Sequence, residues 1–254
     1  MRNAIGKYVF SRKGVNPDAW DTSKLTLNYT LSGSQGNAVT AKPDGTEVYT
    51  YLYSQTLRQW TLSTPWDLST ATLTHENLAT GFITQGIRFK PDGLKMYSFG
   101  NAQMKEWDLS TPWDLSTLSS LSTNSVPSYM TGCFMKPDGL KAYSTNQSSE
   151  LVYEYNLSVA WDISTGVLGD TVNVATNSLN AQEVFWKSDG LIMYVGNTSS
   201  VKAYDIFPAW DLTSASYNSS KSLNITASGL FWRDDGEYLL ANVQTSGVKE
   251  YIMV

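Results

Sequence analysis

Two short markers each occur five times in this chain, and their rhythm limits the possible folds more than any other feature. One is a turn tetrapeptide: Lys42-Pro43-Asp44-Gly45, Lys90-Pro91-Asp92-Gly93, Lys136-Pro137-Asp138-Gly139, Lys187-Ser188-Asp189-Gly190 and Arg233-Asp234-Asp235-Gly236. The other is Trp-Asp, at Trp20-Asp21, Trp66-Asp67, Trp113-Asp114, Trp161-Asp162 and Trp210-Asp211. Both return every 46 to 51 residues. Repeats of that length are supersecondary units that bury their apolar faces against one another.

Within each copy the period is that of strands. In the second, Gln85 to Lys90 is a short apolar segment closed by Pro91-Asp92-Gly93. Proline pre-sets φ for the turn, and glycine accepts the left-handed conformation that completes a tight hairpin. Lys95 to Phe99, then Met104 to Leu109, then the segment after Trp113-Asp114 supply three more strands. The copies align column by column. Strand A carries Val39, Ile87, Cys133, Val184 and Leu230; strand B carries Tyr49, Tyr97, Tyr143, Tyr194 and Leu240; strand C carries Trp60, Trp107, Tyr155, Tyr204 and Tyr251. Residues 62–70 and 109–117 are identical nonapeptides.

Four antiparallel strands repeated radially make a β-propeller, so the expected fold is all-β with five blades. The fifth copy stops after strand C at Val254, and the missing fourth strand stands at the other end, at Lys24 to Leu31. The N-terminal strand should complete the C-terminal blade and close the ring, which removes exposed sheet edges. The domain plan is a basic arm, residues 1–18, followed by one propeller, residues 19–254.

Composition excludes several classes of function. The net charge of −5 disfavours nucleic acid and anionic membrane as partners of the body. The arm differs: Arg2, Lys7, Arg12 and Lys13 against Asp18 give it +3, leaving −8 on the rest. Cys133 is the only cysteine, so no intramolecular disulfide forms. No apolar run is long enough for a membrane-spanning helix, and the first residues are too polar for a signal peptide. Export by lysis or within a virion is the expected alternative.

Most residues that look chemical occupy repeat slots. All nine tryptophans do, which makes them packing residues rather than a sugar-binding surface. The aspartates of Trp-Asp and Asp-Gly, with Ser or Thr two residues after each Trp-Asp aspartate, read as Asx turns. His75 is the only histidine and is expected on the outer rim, so no histidine-based triad or metal cluster can form. Cys133 fills an apolar slot. No glycine-rich phosphate loop, metal site or cofactor is expected. Glu183 is the exception: it replaces Ala38, Gly86, Gly132 and Gly229 in a strand A slot facing the central channel. It is expected to bind a cation or ligand there, or to meet a neighbouring polar group. A glycosidase would need a second carboxylate, and Glu150 is the only candidate outside the repeat slots.

The two faces of such a ring differ. The A–B turns and C–D links repeat almost unchanged, whereas the B–C and D–A loops vary. Variable loops carry function more often than scaffolds do. The expected ligand-binding set on that face is Tyr51, Tyr53, Phe82, Asn101, Gln103, Tyr129, Asn146, Gln147, Asn197 and Gln244, with Glu183 in the channel. Amides beside aromatic rings suit a neutral, hydroxyl-rich ligand such as a glycan. The arm residues Arg2, Lys7, Arg12 and Lys13 are expected to dock an acidic partner.

The pattern Phe-x-Lys-Pro-Asp-Gly-x-x-Met-Tyr, followed by Val-x-x-Tyr-x-Leu-Ser-x-x-Trp-Asp-Leu-Ser-Thr, resembles β-propeller repeats of tailed-phage structural proteins and bacterial surface proteins. The resemblance covers residues 19 to 254. The Trp-Asp pair is similar to that of WD40 repeats, but their Gly-His element is missing. Blade count and repeat length are similar to those of the five-bladed lectin tachylectin, without its binding residues. The resemblance implies a non-enzymatic virion component, such as a fibre, tail or capsid-decoration protein, located on a virion or extracellular surface. Its partners would be other virion or surface proteins. A carbohydrate-binding lectin is the second reading and a glycoside hydrolase the third.

Overall fold

A computed structural model of the chain describes residues 19–52, 54–78, 85–126, 129–177 and 180–254. The arm, residues 1–18, lies outside the described residues. Twenty strands form five four-stranded antiparallel sheets. Blade 1 is β2 (Gly36–Ala41), β3 (Glu47–Leu52), β4 (Thr56–Leu62) and β5 (Ala71–Leu78). Blade 2 is β6 (Gly86–Phe89), β7 (Lys95–Gly100), β8 (Gln103–Leu109) and β9 (Leu118–Ser125). Blade 3 is β10 (Phe134–Met135), β11 (Lys141–Asn146), β12 (Leu151–Leu157) and β13 (Gly166–Asn173). Blade 4 is β14 (Glu183–Trp186), β15 (Ile192–Gly196), β16 (Val201–Asp205) and β17 (Ser216–Leu223). Blade 5 is β18 (Gly229–Trp232), β19 (Tyr238–Val243), β20 (Gly247–Met253) and the chain's first strand, β1 (Leu25–Leu31). The chain is a five-bladed β-propeller.

The ring closes as the repeat arithmetic requires. Strand β1 pairs with β20, Leu25 opposite Met253 and Leu27 opposite Tyr251. The Ser34 hydroxyl accepts the Val248 amide at 2.8 Å, and Val254 N–H reaches Lys24 O at 3.1 Å. Each C–D link contains one three-residue 3₁₀ turn, such as Leu68–Thr70, which the strand periodicity does not reveal. The Trp-Asp aspartate caps that turn in all five copies, with Asp21, Asp67, Asp114, Asp162 and Asp211 accepting the amide two residues on. The Asp-Gly aspartates do the same in their hairpins, for example Asp92 from Leu94 N at 3.0 Å.

The two markers turn out to be one device. Each Trp of Trp-Asp has positive φ, between 63° and 68°, where bulky residues rarely sit. Its amide bonds the carbonyl of its own blade's turn glycine: Trp66 to Gly45 at 3.0 Å and Trp161 to Gly139 at 2.9 Å. Its ring lies on that glycine. A Cβ on Gly45, Gly93, Gly139, Gly190 or Gly236 would sit 2.2 to 2.4 Å from the indole, so no other residue fits. The opposite side of the ring faces the preceding blade. Trp113 packs on Tyr49, Trp161 on Tyr97, Trp210 on Tyr143, Trp20 on Tyr194 and Trp66 on Tyr238. Tyr49 and Tyr97 also donate their hydroxyls to the Trp113 and Trp161 carbonyls, at 2.6 and 2.8 Å.

A second clasp appears at three of the five joints. The strand C residues Gln59, Glu106 and Glu250 accept the amides of Leu115, Ile163 and Leu68 in the next blade, at 3.0, 3.2 and 2.7 Å. The joints between blades 3 and 4 and between blades 4 and 5 carry further aromatic contacts instead, Trp186 on Tyr143 at 4.6 Å and Trp232 on Tyr194 at 5.4 Å. Those extra tryptophans explain why the largest buried cluster spans blades 3 to 5.

Deleting residues 1–31 removes β1 and leaves β20 an open edge. Size-exclusion chromatography and thermal unfolding should then show self-association and a fall in melting temperature of more than about 10 °C. Adding a peptide spanning residues 19–32 should reverse both.

Candidate functional site

The strand A residues converge on the axis, and their layers define a funnel. Its neck is a ring of Thr40, Arg88, Phe134, Phe185 and Phe231, one from each blade. Above them stand Phe89, Trp186 and Trp232, then the turn residues Pro43, Pro91, Pro137, Ser188 and Asp234, with Trp66, Trp113 and Trp161 beside them. The recess holds about 380 Å³, and its surface is mostly apolar. It opens on the face of the A–B turns, the face that repeats. Its rim is close to neutral, because each turn cation pairs with its own turn aspartate: Lys42 with Asp44, Lys90 with Asp92, Lys136 with Asp138, Lys187 with Asp189 and Arg233 with Asp235, at 2.7 to 3.0 Å. Lys136, Lys187 and Arg233 also lie over the next blade's Trp-Asp ring. Asp234 replaces the proline; burial, and after it the Asp235 charge, raises its pKa above the ordinary aspartate range.

Below the neck is a buried ion pair. Arg88, whose side chain is 8% exposed at the neck, meets the fully buried Glu183, with Nη2 and Oε1 3.7 Å apart. Arg88 donates to Val39 O at 3.3 Å, Ile87 O at 2.8 Å and Leu230 O at 2.7 Å. Glu183 Oε1 accepts the amides of Cys133 and Val184, both at 3.0 Å. The bonding partners come from blades 1, 2, 3, 4 and 5, so one pair ties the whole ring at its axis. Of the roles expected for Glu183, contact with a neighbouring polar group is the one found. Burial pushes its pKa up to about 7, against the lowering effects of Arg88 and of the Cys133, Val184 and Leu230 amides. Arg88 was legible by the same column reading that singled out Glu183, as one cation among Thr40, Phe134, Phe185 and Phe231. Glu150, the partner weighed for hydrolysis, instead accepts the amides of Asn180 and Ala181 at 2.6 and 3.0 Å.

The residues expected to bind ligand on the loop face do not form one cluster. Tyr53 and Phe82 lie outside the described residues. Tyr51 is buried inside blade 1, on β3. Tyr129 is half-buried, and its hydroxyl oxygen accepts the Gln85 side-chain amide. Asn101 is exposed in a left-handed turn conformation, with Gln103 partly exposed at the start of β8. Asn146 and Asn197 are buried, and their Oδ1 atoms cap their own turns, taking the amides of Ser148 and Ser149 and of Ser199 and Ser200. Gln147 is partly exposed at the tip of the loop that Asn146 caps. Among the described residues of that set, Asn197 and Gln244 line one recess of about 240 Å³ between blades 4 and 5. Gln182, Thr226 and Ser228, which line the same recess, carry no repeat or motif signal and were missed. Among the described residues no group of three or more His, Cys, Asp or Glu side chains could hold a metal ion.

Among solved structures, the chain is similar to the β-propeller domain of Cps50 (Swd1) from Myceliophteria thermophila. The TM-score is 0.54 at 12% identity, over 91% of this chain and 99% of that one. At that identity the likeness shows the fold. No protein-family model and no curated protein matches the chain. No helix among the described residues is long and apolar enough to cross a membrane.

The Glu183 environment fixes a pH dependence. Its folded pKa is raised above the ordinary carboxylate value, so the folded state holds the proton more tightly than the unfolded chain. Stability should therefore fall as pH rises from about 4.5 to about 7 and level off above, by roughly 3 kcal/mol. The lowered aspartates, such as Asp44 and Asp92, act in the opposite sense at more acidic pH. Urea titrations between pH 4.5 and 8 should show this slope in the native protein and lose it in Glu183→Gln.

Proposed function

We propose that the protein is a non-enzymatic structural and binding module of a virion or cell-surface assembly, which holds a partner protein through the aromatic funnel. The funnel carries this reading. An exposed apolar concavity lined by Trp and Phe, with an Arg at its base, has the composition of the anchoring pockets at protein interfaces. The expected anchor is an apolar side chain on an exposed segment of the partner. Support for a passive role comes from the carboxylates: Glu183 and Glu150 are engaged in bonds that hold the fold. The assembly setting rests on the resemblance of the repeats to those of phage and surface proteins and on the low charged fraction, 16%.

Cross-linking in the native source, followed by identification of the attached protein, tests the setting. The funnel is tested by Phe231→Ser and, on the exposed rim, Pro137→Glu. Retention of the identified partner should fall about tenfold or more in both, measured below the melting temperature that Phe231→Ser lowers by losing its contacts with Trp66 and Phe185. Undiminished retention by both folded variants would refute the funnel as the docking site.

A further inference from the structure

The recess on the opposite face differs from the funnel in chemistry: its walls carry amide and hydroxyl groups beside apolar surface, and no aromatic ring. Its polar lining includes Gln182, Asn197, Thr226, Ser228, Gln244 and Thr245, and no charged residue lines it. Gln182, Asn197 and Ser228 are 7%, 2% and 4% exposed, so part of the wall is set into the fold, with Gln244 and Thr245 on the β19–β20 turn and Thr226 in the loop before β18. They are also held in place. The Ser228 hydroxyl bonds the carbonyls of Gly36 and Asn242, at 2.9 and 3.0 Å. Asn197 Oδ1 holds its turn. Gln244 Nε2 reaches Gln182 Oε1 at 3.2 Å and Asn37 Oδ1 at 3.3 Å, an amide chain joining blades 4, 5 and 1.

That chain decides which atoms remain. With Gln182 Oε1 and Gln244 Nε2 bonded to each other, the Gln182 Nε2 donor and the Gln244 Oε1 acceptor make no hydrogen bond among the described residues, nor do the hydroxyls of Thr226 and Thr245. The recess therefore offers one fixed amide donor, one fixed amide acceptor and two hydroxyls able to act either way. An ionic ligand would find no counter-charge here. An apolar ligand would strip the amides of water without replacing their bonds. A ring bearing adjacent hydroxyls satisfies both kinds of atom, since each hydroxyl can donate to the amide oxygen and accept from the amide nitrogen.

We propose that this recess binds a neutral hydroxylated sugar ring. At about 240 Å³ it lies below the usual range of ligand pockets, so it suits one ring and weak, millimolar affinity. Repetition of the protein in an assembly would raise that by avidity. The inference is independent of the funnel reading.

Saturation-transfer NMR with glucose, galactose, mannose and N-acetylglucosamine, each titrated to about 50 mM, tests it. N-acetylneuraminic acid serves as the charged comparison. At least one neutral sugar should saturate, and its affinity should fall about tenfold in Gln244→Ala and in Thr226→Val. Thr226→Val keeps the side-chain shape, so a folding defect in Gln244→Ala does not remove the test. Phe231→Ser, in the funnel, should leave sugar binding unchanged. Absence of saturable binding by every neutral sugar, binding confined to the charged one, or binding unaltered in both folded recess variants would overturn the proposal.

Discussion

The ring depends on a tryptophan held in a conformation it would not choose alone. Positive φ costs a bulky residue about 1–3 kcal/mol, and the chain accepts that cost at Trp20, Trp66, Trp113, Trp161 and Trp210. The compensation lies in what the conformation achieves. It lays the indole flat on the turn glycine of its own blade, bonds its amide to that glycine's carbonyl, and presents the other side of the ring to a tyrosine of the blade before. Each Trp-Asp is thus both the latch of one blade and the wedge between two. Glycine is required at the turn for two reasons at once, its own φ near 75° and the absence of a Cβ under the ring.

Five similar wedges would give a symmetric ring, and the departures from symmetry lie on the axis. Arg88 and Glu183 replace residues that are small or apolar in the other blades. Burying such a pair is a poor source of stability, because desolvation offsets most of the attraction. What it supplies is a contact reaching all five blades from one place. The two faces carry unlike recesses: an aromatic-rich funnel on the face that repeats, and, between blades 4 and 5, a recess bearing amides on the face that varies.

Much of this was legible in the sequence, because repetition converts a long-range problem into a short-range one. Strand order, blade number and the closing strand followed from the columns and from the misplaced fourth strand. The mating of the two markers was not legible, since the turn glycine and its tryptophan lie some twenty residues apart and nothing local announces their contact. Glu183 stood out as a break in its column, yet its partner is on another blade and only ring closure brings Arg88 across the axis. At the loop face the repeat columns say less about each residue's role. Asn197-Thr198-Ser199 has the same Asx spacing that marked the aspartates as scaffold, and its Asn proved to be scaffold too. Tyr51 follows the strand alternation into the interior. The funnel went unnoticed because its tryptophans and prolines occupy repeat slots, and a residue that packs a joint can also line a surface.

A double-mutant cycle on Gly139→Ala and Trp161→Ala tests the wedge most directly. A Cβ at position 139 would lie 2.4 Å from Trp161 Nε1. In the native background Gly139→Ala should cost about 3 kcal/mol by urea unfolding, and in the Trp161→Ala background only about 1 kcal/mol, the residue of an alanine at positive φ. Equal costs in the two backgrounds would mean that turn and tryptophan do not bear on each other, and the ring would have to be held together by something else.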